Sequence, residues 1–423
     1  MSFKNLLSNA KILQAIEEAG YVNPTPIQEQ AIPKILEGRD VRGSAQTGTG
    51  KTAAFILPTL ERLVSNPSQG KKSDGPRVLI LVPTRELAMQ VAKEAAKYSK
   101  HLQQMRTVCI YGGAPYPIQN RDLSRPYEIL VATPGRLMDH MERGRIRFPR
   151  LELLILDEAD RMLDMGFIDP VKEIAAQTPE NRQTLMFSAT FNRNVLDLAK
   201  TLLKNPVEIS VAAEQTKHEN IEQQIYPVDD LTHKYQILDH FLADEAMTQA
   251  IIFTATKRQA DTLVEVLLEK GHSADALHGD MNQRQRTRTI EKLRKNRLRL
   301  LIATDVAARG IDVQTITHVI NFDLPNNAED YVHRIGRTGR AGRAGVALSM
   351  ASPKDRHLVK DIERFTGQVL APVTIPGLEP KMKASAPRKK FGPRRGGGRP
   401  FFKKGGGSGG NRRFSKEAPR GRR

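Results

Sequence analysis

The sequence predicts an α/β fold of two tandem domains, each a parallel sheet flanked by helices, followed by a basic tail. Short apolar runs alternate with amphipathic segments across residues 20–350, as parallel strands joined by crossover helices do. These runs form two series, and a polar stretch at 205–224 without a helical stripe separates them. A chain of 423 residues is also longer than one ordinary hydrophobic core requires.

Each series of apolar runs supplies the expected strands of one domain. The predicted strands are 77–83, 128–133, 151–158 and 183–190 in the first domain, and 249–256, 298–304 and 317–323 in the second. The expected organisation is an N-terminal domain over 1–210, a linker over 211–220, a C-terminal domain over 221–368 and a disordered tail over 369–423. The tail is expected to be disordered because it is rich in Gly and Arg and has few aliphatic side chains to offset ordering entropy.

The positive charge of the chain is concentrated in that tail. The formal net charge is +19, of which residues 381–423 carry +15 and the remainder only +4. Phenylalanines at 391, 401, 402 and 414 lie among the cations, a composition typical of binding to unpaired nucleic acid. A solubilising extension and a partner-docking segment are the alternatives for this tail.

Cysteine content and hydropathy predict where the protein resides. Cys109 is the only cysteine, so no intrachain disulfide forms and a reducing cytosol is indicated. No apolar run approaches the length of a membrane span. We therefore expect a soluble cytoplasmic protein that does not interact with membranes.

The stretch "SAQTGTGKT", residues 44–52, has the spacing of a phosphate-binding loop, with Ala45 at the usual first glycine. Gly48 and Gly50 allow the backbone N–H groups to wrap a phosphate at a helix N-terminus. Lys51 is then expected to reach the β- and γ-phosphates of ATP, and the Thr52 hydroxyl to bind Mg²⁺. A plain Gly-rich turn is the alternative reading of this stretch.

The stretch "LLILDEAD" places two carboxylates directly after a predicted buried strand. Ligands of parallel sheets bind at this carboxyl edge, where Asp157 can hold Mg²⁺ and Glu158 can deprotonate an attacking water. A solvated acidic loop is the alternative, and the Gly-Lys-Thr motif in the same chain argues against it.

Together these motifs resemble the DEAD-box RNA helicases, superfamily 2 ATPases with two RecA-like domains. The resemblance covers about residues 1–368, and an alanine at position 45 fits that family. The opening "MSFKNL" and the short basic tail resemble the bacterial RhlE-type branch. The matching motifs are "GYVNPTPIQ" (20–28), "AQTGTGKT" (45–52), "PTRELA" (83–88), "GG" (112–113), "TPGR" (133–136), "DEAD" (157–160), "SAT" (188–190), "ATDVAARGID" (303–312) and "HRIGRTGR" (333–340).

The resemblance implies roles for individual residues at the ATP site. Gln28 would pair with the adenine edge, Phe3 and Tyr21 would stack near the ring, and Asp312 would contact the ribose. Helix-packing hydrophobes are the alternative for Phe3 and Tyr21. The implied loop residues are Ala45, Gln46, Thr47, Gly48, Thr49, Gly50, Lys51 and Thr52. The implied catalytic residues are Lys51, Asp157, Glu158, Ser188, Thr190, His333, Arg337 and Arg340, with Thr52 and Asp157 as metal ligands.

Within that set, Arg337 and Arg340 would be arginine fingers from the second domain, which has no Gly-Lys-Thr motif of its own. The alternative is that these arginines bind RNA phosphate. Asp160 would share an interdomain network with His333. The implied RNA contacts are Arg85, Gly113, Thr133 and Arg136 in the first domain, and Arg258, Gly279, Thr304 and Asp305 in the second.

The function predicted from the resemblance is an ATP-dependent RNA helicase that couples RNA-stimulated ATP hydrolysis to local unwinding and remodelling. An ATP-gated RNA clamp or scaffold and a DNA-directed superfamily 2 translocase are the alternatives. We expect a monomer that binds RNA without sequence preference. Ribosomal or RNA-decay proteins are possible partners, and ribosome biogenesis is one of several pathways in which bacterial relatives act.

Overall fold

The computed structural model describes residues 2–44, 49–67, 75–103, 105–210, 220–308, 311, 313, 315–339 and 343–381. Its first domain is built on seven parallel strands in the order β3-β4-β2-β5-β6-β1-β7. The strands are β1 (Val41–Ser44), β2 (Val78–Leu81), β3 (Thr107–Ile110), β4 (Ile129–Ala132), β5 (Leu153–Leu156), β6 (Gln183–Ser188) and β7 (Val207–Ser210).

Nine helices accompany this sheet in the described residues. They are α1 (Ala10–Glu18), α2 (Pro26–Leu36), α3 (Lys51–Ser65), α4 (Arg85–Tyr98), α5 (Tyr116–Leu123), α6 (Pro134–Glu142), α7 (Ala159–Asp164), α8 (Ile168–Ala176) and α9 (Arg193–Leu202), after a short 3-10 turn at Phe3–Asn5. Two hydrophobic clusters lie on opposite faces of the sheet, because alternate side chains of strands such as β2 and β5 point to opposite sides.

The second domain has six parallel strands in the order β10-β11-β9-β12-β13-β8. The strands are β8 (Ile221–Pro227), β9 (Ala250–Phe253), β10 (Ala274–Leu277), β11 (Leu300–Ala303), β12 (His318–Asn321) and β13 (Gly345–Ala351). The helices are α10 (Leu231–Leu242), α11 (Lys257–Glu269), α12 (Gln283–Arg294), α13 (Asp305–Ala308), α14 (Ala328–Ile335) and α15 (Arg356–Thr366), with a 3-10 turn at Pro353–Asp355. The predicted fold class, two parallel α/β domains, is therefore confirmed.

Side-chain caps begin several of these helices at the ends of strands. The Thr84 hydroxyl accepts from the Leu87 backbone N–H at 3.3 Å and begins α4, and Asn282 caps α12 through Gln285. No described helix combines the length and apolar character that crossing a membrane requires.

Strands occupy both ends of the polar stretch at 205–224, outside the expected linker of 211–220. Residues 207–210 form β7 at the edge of the first sheet, and β8 begins at residue 221 in the second. An edge strand is solvated on one side, so β7 includes the exposed Glu208 and lacks the continuous apolar run by which strands were predicted. Residues 211–219 of the expected linker lie outside the described residues.

The expectation of disorder from residue 369 is wrong for residues 369–381. Leu370 and Ile375 are buried on the second domain, and the Val373 backbone N–H donates to the Ile225 carbonyl at 2.8 Å. Farther along, the Lys381 N–H donates to the Asp229 carboxylate at 2.7 Å. Because these apolar residues are widely spaced and follow no helical or strand period, no sequence pattern predicts that they pack on the second domain. The tail from residue 382 lies outside the described residues.

Candidate active site between the two domains

The first domain gathers its polar motifs at one edge of the sheet. Strands β5, β6 and β1 are neighbours and run parallel, so their carboxyl ends meet. Asp157 follows β5, Ser188 ends β6, and Lys51 begins the helix that comes after β1. Functional side chains from three separate motifs therefore lie side by side, as expected for a ligand site of a parallel sheet.

Gln28 joins the start of α2 to the phosphate-binding loop. Its Nε2 donates to the Gly50 carbonyl at 3.0 Å, and its Oε1 accepts from the Thr25 N–H at 2.9 Å. Gly50 has φ +87°, and a side chain there would collide with the Gln28 amide. Gln28 is fully buried and thus holds the loop; its pairing with adenine stays a prediction.

Lys51 and Asp157 are buried charged residues at the base of the site. Lys51 is 6% exposed, and its buried ammonium has no hydrogen-bond partner among the described residues. Burial raises the pKa of Asp157 to about 6, and the positive charge of Lys51 opposes that rise. Thr49 and Thr52 lie at the start of this region, with Thr52 half-buried in the first turn of α3. Ala45, Gln46, Thr47 and Gly48 lie outside the described residues.

Glu158 has an unusual backbone conformation. Its φ of +55° and ψ of +52° are left-handed, a conformation that non-glycine residues adopt at a cost of about 1–3 kcal/mol. Its buried Oε2 accepts no hydrogen bond from any described residue, and the Arg161 Nε lies 3.8 Å away. The strained backbone therefore places the Glu158 carboxylate beside Asp157, with an oxygen that can still accept a hydrogen bond.

Asp160 binds the strand end that carries Ser188. Its Oδ2 accepts from the Thr190 N–H at 3.0 Å and the Thr190 hydroxyl at 3.1 Å, while the Ser188 hydroxyl accepts from the Asp160 N–H at 3.2 Å. The Ser188 hydroxyl in turn donates to the Thr190 carbonyl at 2.7 Å. Asp160, Ser188 and Thr190 are thus one hydrogen-bonded unit, and a direct link from Asp160 to His333 stays a prediction.

The second domain presents α14 and the turn after it to the first domain. Arg161 Nη1 lies 4.0 Å from Asp330 Oδ1, and the crevice at this contact is also lined by His333 and Arg337. The Arg337 guanidinium donates to the Ile311 carbonyl at 2.7 Å and to the His333 carbonyl at 3.3 Å. Arg340 and Asp312 lie outside the described residues.

Arg334 is a structural residue of the second domain. It forms a two-point ion pair with Asp305, at 2.5 and 2.7 Å, donates to Asn321, and lies over the Phe253 ring at 4.8 Å. Its side chain is only 2% exposed. Arg334 therefore stabilises the second domain through its ion pair with Asp305, and its side chain also lines the crevice beside Arg337.

The first-domain candidates for RNA contact lie together. Arg85 packs against Gly113, whose φ of +84° and lack of a side chain leave space for the guanidinium. Thr133 is the residue directly before α6 and makes no side-chain capping bond, and Arg136 donates to the Ala114 carbonyl at 2.9 Å. These residues come from three motifs but converge beside the carboxyl ends of β3 and β4.

Tyr116 was not among the sequence candidates, and it fixes the orientation of Arg136. Its ring lies 4.2 Å from the guanidinium carbons of both Arg136 and Arg143. Its hydroxyl donates at 2.7 Å to Asp139, whose carboxylate lies 3.5 Å from Arg136 Nε. An aromatic residue three positions after a Gly-Gly pair has many ordinary uses, so the sequence contained no specific signal for this role.

The second-domain candidates follow three adjacent strands. Arg258 lies in the first turn of α11 after β9, Gly279 follows β10, and Thr304 follows β11. Arg258 and Gly279 are exposed and Thr304 is half-buried. Asp305 is held by Arg334, so its carboxylate has a structural role whether or not it contacts RNA.

Phe3 and Tyr21 occupy different environments. Phe3 is 5% exposed and belongs to the hydrophobic cluster under α2 and α3, as the packing alternative predicts. Tyr21 is 40% exposed and lies 6.2 Å from the Tyr98 ring, with Lys97 Nζ 5.1 Å from its ring centre. Stacking of either ring on adenine stays a prediction.

Among the described residues, one buried and one partly buried contact connect the domains near the RNA candidates. Arg286 of α12 donates to Glu86 Oε1 of α4 at 2.7 and 2.9 Å, and both side chains are less than 10% exposed. Arg85 Nη1 donates to Gln283 Oε1 at 3.2 Å. Glu86, Gln283 and Arg286 were not among the candidate site residues predicted from the sequence, although Glu86 lies within the motif "PTRELA".

We expect Arg286→Ala to weaken domain closure by about 2–5 kcal/mol, because the Glu86 carboxylate then stays buried without its partner. The measurement is a double-mutant cycle with Glu86→Ala, read out as the nucleotide concentration that brings dyes on the two domains together. A coupling energy above about 0.5 kcal/mol is expected for such a contact. The control cycle uses the pair Arg42–Glu208 within the first domain, whose glutamate is 66% exposed and for which we expect almost none. Equal coupling in both cycles would contradict this role.

The residues of the first domain fit ATP and Mg²⁺. A buried ammonium without a partner suits a phosphate oxygen, and Asp157 supplies a carboxylate beside it. The described residues contain no group of three or more His, Cys, Asp or Glu side chains able to hold a metal ion. The buried carboxylate of Asp157 beside Lys51 suits Mg²⁺, which is usually bound by one or two carboxylates together with phosphates and water.

This fold and site define a two-domain protein of the class that binds nucleotide through a Gly-Lys-Thr loop. The DEAD/DEAH box helicase family matches residues 25–198, and the helicase conserved C-terminal domain matches residues 233–342. The ATP-dependent RNA helicase DeaD of Escherichia coli strain K12 is 45% identical over 378 residues, covering 89% of this chain and 59% of that protein. DeaD of Mycobacterium tuberculosis is 44% identical, with 89% and 66% covered.

A solved structure extends this similarity to three dimensions. Saccharomyces cerevisiae Dbp5 bound to RNA and ADP BeF3 is 32% identical, with a TM-score of 0.79 over 88% of this chain and 95% of that one. The chain therefore belongs to the DEAD-box RNA helicase family and has two RecA-like domains. It spans less than two thirds of the length of the DeaD relatives it matches.

Proposed function

We propose that this chain is an ATP-dependent RNA helicase, which hydrolyses ATP when RNA is bound and separates short RNA duplexes by closing its two domains. The observation that supports this proposal most directly is the interdomain crevice, which is lined by Arg337 of the second domain and Arg161 of the first. Arg161 in turn lies 3.8 Å from Glu158. Groups suited to hydrolysis thus come from both domains, so turnover depends on closure.

Each charged residue of the site has a distinct task in this proposal. Lys51 binds the terminal phosphates, which satisfy its buried ammonium. Glu158 orients water and accepts its proton at the carboxylate, whose buried Oε2 has no hydrogen-bond partner among the described residues. Asp157 and Thr52 would hold Mg²⁺, which would supply positive charge beside the phosphates. Arg337, and Arg340 by resemblance, stabilise the negative charge that develops in the transition state.

Coupling to RNA would pass through the hydrogen-bonded unit of Asp160, Ser188 and Thr190 and through the paired contacts of α4 and α12. Arg85 binds Gln283 across the domains and packs against Gly113 at the candidate RNA surface. RNA that engages Arg85 would therefore stabilise the same domain arrangement that brings Arg337 toward the nucleotide. The similarity to Dbp5 bound to RNA and ADP BeF3 supports this arrangement.

Strand displacement tests the proposed function. With ATP, the chain is expected to separate a short RNA duplex rapidly and a long one poorly, because only a few base pairs melt in each closure. A non-hydrolysable ATP analogue should permit one round of separation without recycling. RNA-stimulated hydrolysis without any separation would favour the ATP-gated clamp instead. Equal activity on DNA duplexes would favour a DNA-directed translocase.

The basic tail is proposed as a sequence-tolerant RNA tether, on the basis of its +15 charge and interleaved phenylalanines. Removing residues 383–423 should raise the Kd for single-stranded RNA and flatten its dependence on salt, since fewer phosphates are neutralised. Fluorescence anisotropy over a salt series measures both quantities, with hydrolysis in saturating RNA as the control. An unchanged Kd and salt slope would exclude the tether.

Three finer points belong to the same proposal. The opening "MSFKNL" supports the RhlE-type branch of the family, although the relatives compared above are of the DeaD type. Burial raises the pKa of the single cysteine, Cys109, to about 12, which suits an unreactive thiol in a reducing cytoplasm.

We also propose a monomer that acts with ribosomal or RNA-decay proteins. Light scattering tests the oligomeric state, and affinity purification tests the protein partners.

A further inference from the structure

A basic cleft of about 370 Å³ lies on the second domain, between the end of α11, the start of β10 and the C-terminal half of α12. Strands β10 and β11 begin beside it, whereas Gly279 and Thr304 follow their opposite ends. A strand of four residues spans about 13 Å. The cleft is therefore separated from the candidate RNA surface by the length of the sheet.

The cleft carries an excess of positive charge. Arg288, Lys292, Lys295 and Arg297 line it, with Glu291 as the one acid among the lining residues. Lys292 binds Asp275 at 3.0 Å, but the structure records no side-chain partner for the other three cations among the residues it describes. The negative end of the α12 dipole accounts for Lys295 at its C-cap, but for neither Arg288, farther back in the helix, nor Arg297 beyond it.

The cleft also has an apolar wall. Leu268 of α11 is 52% exposed and borders the cleft, and the buried Leu298 forms part of its base. A concave apolar surface with polar groups around it is typical of a site that receives a ligand side chain. An exposed leucine beside three unpaired cations suits a ligand that combines negative charge with a bulky apolar group.

We propose that this cleft is a docking site for an acidic segment of a partner protein that carries one large apolar side chain. Charge complementarity between its carboxylates and Arg288, Lys295 and Arg297 would provide orientation, and contact with Leu268 would provide the anchor. The tail of the chain itself is excluded, because its +15 charge would be repelled. Single-stranded RNA fits less well, because no aromatic side chain lines the cleft to stack on bases.

The test is photo-crosslinking of the full chain to a synthetic peptide of Asp and Glu residues with one central photo-reactive leucine. Mapping the crosslinked fragments separates binding at the cleft from binding to the cationic tail. Crosslinks are expected on residues 268–298 of the unmodified chain. The variant Lys295→Glu/Arg297→Glu should reduce them about tenfold, since two rim charges are reversed. The matched control is Lys354→Glu/Lys360→Glu, two exposed cations elsewhere in the second domain, which should leave the crosslinks unchanged.

Three further measurements decide the outcome. RNA-stimulated ATP hydrolysis should stay unchanged in the Lys295→Glu/Arg297→Glu variant, which also verifies that it folds. Leu268→Ser should reduce crosslinking without changing the charge. Crosslinks found only on the tail, or reduced equally by the control variant, would overturn the proposal. Loss of cleft crosslinks on adding single-stranded RNA would overturn it too, because the cleft would then be an RNA site.

Discussion

Arg337→Ala is expected to reduce the RNA-stimulated rate of ATP hydrolysis by about 10³–10⁵-fold, the usual contribution of an arginine finger. The guanidinium already lines the crevice between the domains, held by the Ile311 and His333 carbonyls. Both hydrogen bonds go to backbone carbonyls and fix the position of the guanidinium. The measurement is steady-state hydrolysis at saturating ATP and RNA.

Two controls make the Arg337 result specific. Arg337→Lys keeps the charge but loses the planar fork, and should recover little activity if the fork geometry matters. Arg364→Ala removes an 80%-exposed arginine of the same domain and should have almost no effect. RNA affinity should stay unchanged in Arg337→Ala; a large loss of RNA affinity with a preserved rate at saturating RNA would mean that Arg337 binds RNA phosphate.

Glu158→Gln is expected to reduce hydrolysis by about 10²–10⁴-fold, because an amide cannot accept the proton of the attacking water. The substitution keeps the size of the side chain and the left-handed backbone, so folding and ATP binding should be preserved. A fluorescent ATP analogue measures that binding directly. The control Glu173→Gln alters an exposed glutamate on α8. A loss of less than about tenfold would show that Glu158 is not the general base.

The sequence of short stretches of the chain was enough to predict the fold class and the position of the nucleotide motifs. Asp157 and Glu158 directly follow an apolar run, and β5 is that run. The weaker strands had no such signal. β10 reads "ADAL", with a polar residue among two alanines, and β7 lies at the sheet edge. Strands of this kind are stabilised by their neighbours in the sheet, which a single stretch of sequence does not reveal.

The candidate site shows the same division. Arg334 and Arg337 are equivalent in the repeating "HRIGRTGR" spacing, and both line the crevice. Only the fold pairs Arg334 with the Asp305 carboxylate, whereas the Arg337 guanidinium donates to backbone carbonyls. Glu86 and Arg286 are 200 residues apart, so their pairing depends on how two separate domains meet. Long-range partners of this kind decide which of several similar cations performs the chemistry.

The central claim is that ATP hydrolysis depends on RNA through closure of the two domains. The most direct measurement compares steady-state ATP hydrolysis without nucleic acid, with single-stranded RNA and with DNA of the same sequence, using Glu158→Gln as the blank. We predict strong stimulation by RNA, little by DNA, and none in the variant. A rate that is the same with and without RNA, while RNA is bound, would contradict the claim and indicate a clamp whose nucleotide site is uncoupled from RNA.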